Sequence, residues 1–186
     1  MQVEGVKGKK PGEIKFDNIL SNNMEPITII IETPKDSHLK FDYDKKLKCF
    51  KLNKVLPAGM VFPFDFGFIP NTKGGDGDPL DIIAISEFAT VTGCAMDCRI
   101  IGAILAEQTE KGSDAVRNDR FIGIPVESKE FKSVREASQL PKQMITQIQD
   151  FFINYNKEAG KKFKVVDIVG SKTAFKLIRK AGFKKN

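Results

Sequence analysis

The chain reads as an α+β protein, mainly β, in which a small barrel of short strands precedes C-terminal helices. Three observations support this. Short β-branched and apolar runs, bounded by Gly, Pro, Asn and Asp, recur between residues 27 and 126. After Pro141 the apolar residues shift to helical spacing. A length of 186 residues with 41% apolar content suits one packed domain.

Residues 1–26 are polar and lack periodicity, so they read as an extended arm ahead of a domain over 27–186. Ile27-Thr28-Ile29-Ile30-Ile31 is the first strand, ended by Pro34. Residues 49–52 form the next, after a turn at Asp44-Lys45-Lys46. A strand over 80–86 follows an acidic turn, two strand-like stretches lie within 95–106, and a last one covers 120–126.

Pro141 suits a first helical turn. Beyond it Met144, Ile145, Ile148, Phe151, Phe152 and Tyr155 share one helix face, and Gly160 is the stop. Residues 163–169 return as a strand. Ser171 is placed as the N-cap of a second helix carrying Ala174, Phe175 and Ile178, which ends near Gly182.

Composition narrows the function. No apolar run is long enough to cross a bilayer, so no membrane partner is expected. The first ten residues have no apolar stretch of the secretory kind, which points to the cytoplasm. Cys49, Cys94 and Cys98 are too few for a disulfide framework and read as buried thiols. The net charge of +6 fits a nucleic acid or a small polyanion equally well.

Asp76-Gly77-Asp78-Pro79-Leu80-Asp81 crowds three acids onto one turn. Two carboxylates about 4 Å apart repel by roughly 4 kcal/mol at an effective dielectric near 20. A hard divalent cation turns that repulsion into binding. An EF-hand is excluded, because Leu80 and Asp81 stand where that loop needs a ligand and a glycine. An ordinary solvated turn is the competing reading.

The wider pattern decides between these. Asp76 to Asp81 is similar to the signature of the family I soluble inorganic pyrophosphatases. Glu32-Thr33-Pro34, Lys40-Phe41-Asp42, Met60-Val61-Phe62-Pro63, Phe66-Gly67-Phe68-Ile69-Pro70 and Phe151-Phe152 with Tyr155 fall in that family's order over residues 27–170. The resemblance implies a five-stranded OB-type barrel flanked by helices. It also implies hydrolysis of pyrophosphate by water activated with Mg²⁺, with Mn²⁺ or another divalent cation as a substitute.

By the same resemblance, Asp76 and Asp81 are metal ligands and Asp78 is the general base. Glu32 and Asp42 are acids standing behind the metal ligands. Lys40, Lys54, Arg120 and Tyr155 contact substrate phosphate. A homo-oligomer, commonly a hexamer, is implied as well.

Several positions depart from the family pattern. Lys54 replaces Arg, which keeps charge but loses the bidentate fork. Asp42 replaces Glu, Phe66 replaces Tyr, and Asn156 replaces Lys. In the loop over 107–120, Asn118 falls at a metal-ligand position and Arg120 at a lysine. Asp119 supplies a carboxylate if the strand start bulges, with Asp114 or Glu107 as substitutes for the other ligand. These changes raise the alternative of a weakly active or altered-specificity relative. Nucleic-acid binding by the barrel is the remaining alternative. It needs exposed aromatics, whereas most of the 15 Phe lie in apolar patterns. No nucleic-acid partner is therefore expected.

Overall fold

A computed structural model of the chain describes residues 24–183. The arm expected over 1–26 falls, apart from its last three residues, outside the described residues. The strands are β1 (Ile27–Thr33), β2 (Leu39–Asp44), β3 (Cys49–Val55), β4 (Asp65–Ile69), β5 (Leu80–Ala84), β6 (Ala95–Glu110), β7 (Val116–Arg117), β8 (Arg120–Pro125) and β9 (Lys161–Gly170). The helices are α1 (Lys142–Glu158), before β9, and α2 (Ser171–Lys180), after it.

Five strands run β1-β4-β5-β8-β6, and β6 returns to pair with β1. The ring is a closed OB-type barrel, so none of these five strands is left with an open edge. Its pairs are antiparallel except β5–β8, where Asp81 lies opposite Arg120. β9 extends β6, and β2–β3 form a separate hairpin.

Side-chain alternation gives the ring two apolar faces. Ile29, Ile31, Ile69, Ile82, Ile100 and Phe121 fill one, together with Ala174 and Ile178 of α2. Ile83, Ile101, Ile122 and Ile124 fill the other, against Ile145, Ile148 and Phe152 of α1. Adjacent residues Ile82/Ile83 and Phe121/Ile122 are all buried, which is why β5 after Asp81 and β8 after Arg120 read as unbroken apolar runs.

Gly67 is required where β4 crosses β1. A Cβ there would lie 1.9 Å from the Ile30 carbonyl oxygen. Gly160, at φ +72°, ends α1 as expected.

Three expectations change. The two stretches within 95–106 are one 16-residue strand, with an irregularity between Ile100 and Gly102 that bends it around the ring. Ser171 is not the N-cap of α2. Gly170 holds that position, and Ser171 directs both its N–H and its Oγ–H to the carboxylate of Glu136. Of the thiols, Cys98 is buried but Cys49 is exposed. Among the described residues no helix is long and apolar enough to cross a membrane.

Candidate active site

The loop from β4 to β5 carries the acidic turn. Thr72 Oγ donates to the Ile69 carbonyl and accepts the Leu80 N–H, which pins the loop base. Gly77 takes φ +91°, a conformation that favours glycine. Asp76 Oδ1 accepts the Asp78 N–H at 3.1 Å, and the Gly74 N–H donates to the Asp78 carbonyl at 2.7 Å. Asp76 and Asp78 are exposed. Asp81, the first residue after Leu80 in β5, turns inward to Arg120 Nη1 at 2.6 Å.

The repulsion expected of three packed acids is thus relieved within the chain, by solvent, a turn N–H and a guanidinium. Burial nevertheless pushes the Asp81 carboxyl up to about 6, against the opposing pull of Arg120 and Lys40.

All three aspartates line one cleft of about 380 Å³. β1 contributes Glu32, and the β2–β3 hairpin contributes Lys40, Asp42, Asn53 and Lys54. β8 supplies Arg120 and α1 supplies Tyr155 and Asn156. Residues separated by more than 120 positions in sequence meet because the ring brings the hairpin, the β5–β8 pair and α1 to one side.

Lys40 Nζ lies 3.0 Å from Glu32 and 2.6 Å from Asp42. Burial alone would lower its pKa. The two carboxylates outweigh that effect, and Lys40 is held above the ordinary lysine value, fully charged. Lys54 Nζ sits 4.8 Å from the centre of the Tyr155 ring, a cation–π contact.

Phe66 lies beneath both Lys40 and Arg120, at 5.1 and 5.9 Å. It provides an apolar floor without a hydroxyl. Arg120 is flanked by Phe152 and Phe163 as well, and among the described residues its buried Nε has no hydrogen-bond partner. An unmade bond of this kind costs about 1–3 kcal/mol.

The structure brings in every predicted site residue except Asp119. Its Oδ1 accepts the Ala106 N–H at 2.9 Å and also pairs with Arg117 Nε, which ties the carboxylate to the β6–β8 junction. Glu107 and Asp114 do not line the cleft either. Gln108, which the sequence reading passed over, does, and its Oε1 accepts from Asn118 Nδ2 at 3.2 Å. No charge pattern marks that glutamine. Only the pairing of β6 with β7 and β9 places it.

The cleft donors are carboxylates, amides and phenols, with neither His nor Cys. Such a set suits a hard divalent cation. Among the described residues no three acids converge into a ready-made cage.

A family profile described as inorganic pyrophosphatase matches residues 29–184. The chain belongs to that family. Membership places it among the inorganic diphosphatases. The inorganic pyrophosphatase of Thermus thermophilus is 36% identical over 146 residues, covering 78% of this chain and 81% of the relative. That of Geobacillus stearothermophilus is 36% identical over 152 residues, covering 82% and 89%. The crystal structure of the Thermus thermophilus enzyme superposes with a TM-score of 0.78 at 31% identity, over 87% of this chain and 91% of that one. The overall fold is therefore one that a solved pyrophosphatase shares.

Proposed function

We propose that the cleft hydrolyses inorganic pyrophosphate to two phosphates with a divalent cation, magnesium in the first place. The observation that carries this is the meeting of the acidic turn with Lys40, Lys54 and Arg120 around one cleft in a chain of this family. When bound, the cation screens phosphoryl charge and acidifies water. Asp76 and Asp81 are the carboxylates to hold it. Asn118 adds at most a neutral carbonyl, and that carbonyl already accepts from Arg120.

Asp78, exposed at the cleft beside both, accepts the proton of the attacking water. Lys54 and Arg120 face the phosphoryl oxygens and stabilise the charge that builds on the leaving phosphate. Lys40 keeps Glu32 and Asp42 in place and adds positive charge. Tyr155 donates its hydroxyl to a phosphate oxygen, with its ring held by Phe62 and Phe151 at 5.8 Å each.

Phosphate release from pyrophosphate in millimolar magnesium, abolished by chelator, tests the proposal. The amides Gln108 and Asn118 favour one second reading, action on another phosphoanhydride. Faster turnover of a nucleotide or a longer polyphosphate than of pyrophosphate would select it. Homo-oligomeric assembly and a cytoplasmic setting belong to the same proposal, and light scattering on the purified chain checks the first.

A further inference from the structure

Five carboxylates line the cleft, but three are already paired. Glu32 and Asp42 are held by Lys40, and Asp81 by Arg120. Among the described residues, Asp76 and Asp78 are the lining acids without an ion pair.

The wall beyond Arg120 is built of amides. A guanidinium has donors only, so Arg120 Nη1 fixes Asn118 with Oδ1 turned toward it. Asn118 Nδ2 is then the atom that donates to Gln108 Oε1. Each amide carbonyl already accepts a bond, and among the described residues the Gln108 NH₂ is the amide group of this wall with both N–H donors unspent. That group suits an anion and repels a cation. The acids of the same loop do not help, since Asp119 is tied to Ala106 and Arg117, Glu110 pairs with Lys161, and Glu107 and Asp114 do not line the cleft.

We infer that the Arg120–Asn118–Gln108 relay confines divalent cations to the side of the cleft formed by the Asp76–Asp81 turn and lets the Gln108 amide donate directly to a phosphoryl oxygen of the substrate. Gln108 is thus a substrate-contacting residue. With Asn118 it limits how many cations the cleft takes. The inference rests on reading the cleft as a pyrophosphate site.

Two measurements on the full chain test it without turnover. The first counts bound Mn²⁺ by electron paramagnetic resonance, in the wild type and in the double variant Gln108→Glu, Asn118→Asp. The double variant takes about one more Mn²⁺ per chain, because two added carboxylates supply a ligand pair for a hard cation. Equal counts overturn the inference. No Mn²⁺ on the wild type overturns the confinement and the cation of the proposed function together, whatever the variant takes.

The second measures binding of imidodiphosphate, a pyrophosphate analogue that resists hydrolysis. Gln108→Ala weakens it about tenfold, the loss of one charge-assisted hydrogen bond. Unchanged affinity overturns the contact. Should the alanine variant unfold, Gln108→Met keeps the length, removes the donors and gives the same reading.

Discussion

Asp81 and Arg120 are register partners across the parallel β5–β8 pair, and their side chains meet at 2.6 Å. This is the parallel pair of the ring, and it brings the last acid of the acidic turn against the cation that ends the 107–120 loop. Arg120→Met keeps the packing against three phenyl rings but leaves Asp81 alone. Breaking a fully buried pair costs roughly 3–5 kcal/mol. Asp81 retains some exposure, so the expected loss is about 2 kcal/mol in urea unfolding. Phosphate release falls at least about 100-fold. A variant as stable and as active as the wild type contradicts both roles.

Glu136 caps a helix from a distance. Its carboxylate accepts the Ser171 N–H at 2.7 Å and the Ser171 hydroxyl, while Gln139 closes a capping box on the same short turn. Glu136→Ala strips α2 of this support and lowers stability by about 1–2 kcal/mol. Activity of the folded variant stays at the wild-type level, because Glu136 does not line the cleft. Thermal unfolding read beside phosphate release separates the two effects.

Glu87 ties the end of β5 to the segment after β8. The Lys129 N–H at 2.8 Å is the main influence, with the Ser128 hydroxyl at 2.7 Å, and together they lower the Glu87 carboxyl to about 2. Its ordinary value is 4.5. The contribution to stability is therefore complete above that pH and fades as pH falls toward 2. The gap in melting temperature between wild type and Glu87→Gln should be open at pH 6 and closed near pH 2. A gap independent of pH would show that the carboxylate charge plays no part.

Much of the ring was legible because burial imposes a pattern. Ile27, Ile29 and Ile31 alternate, β5 and β8 are apolar beyond Asp81 and Arg120, and α1 shows its face every three or four residues. β2 escaped because Leu39–Asp44 lies off the ring and mixes charge with partial burial. β4 was missed as a strand although its motif was noted, since Gly67 looks like a strand breaker until the Ile30 carbonyl is placed beside it. Asn156 is a similar case. Its place beside Tyr155 suggests a cleft residue, and it does line the cleft, yet it is buried with its amide donating to the Phe152 carbonyl.

The site followed the same logic. The acidic turn, Lys40 and Tyr155 carry their chemistry in local sequence. Asp119 and Gln108 differ only in which way the β6–β8 junction points them, a property of strand register that composition does not encode.

Asp78 is the group on which the proposed chemistry turns, and its replacement by Asn is nearly isosteric. The decisive measurement is phosphate release from pyrophosphate by wild type and Asp78→Asn, side by side, in millimolar magnesium. The account predicts steady release by the wild type and a fall of at least about 100-fold in the variant, with the fold unchanged by circular dichroism. Equal rates, or no release by either protein, would contradict it.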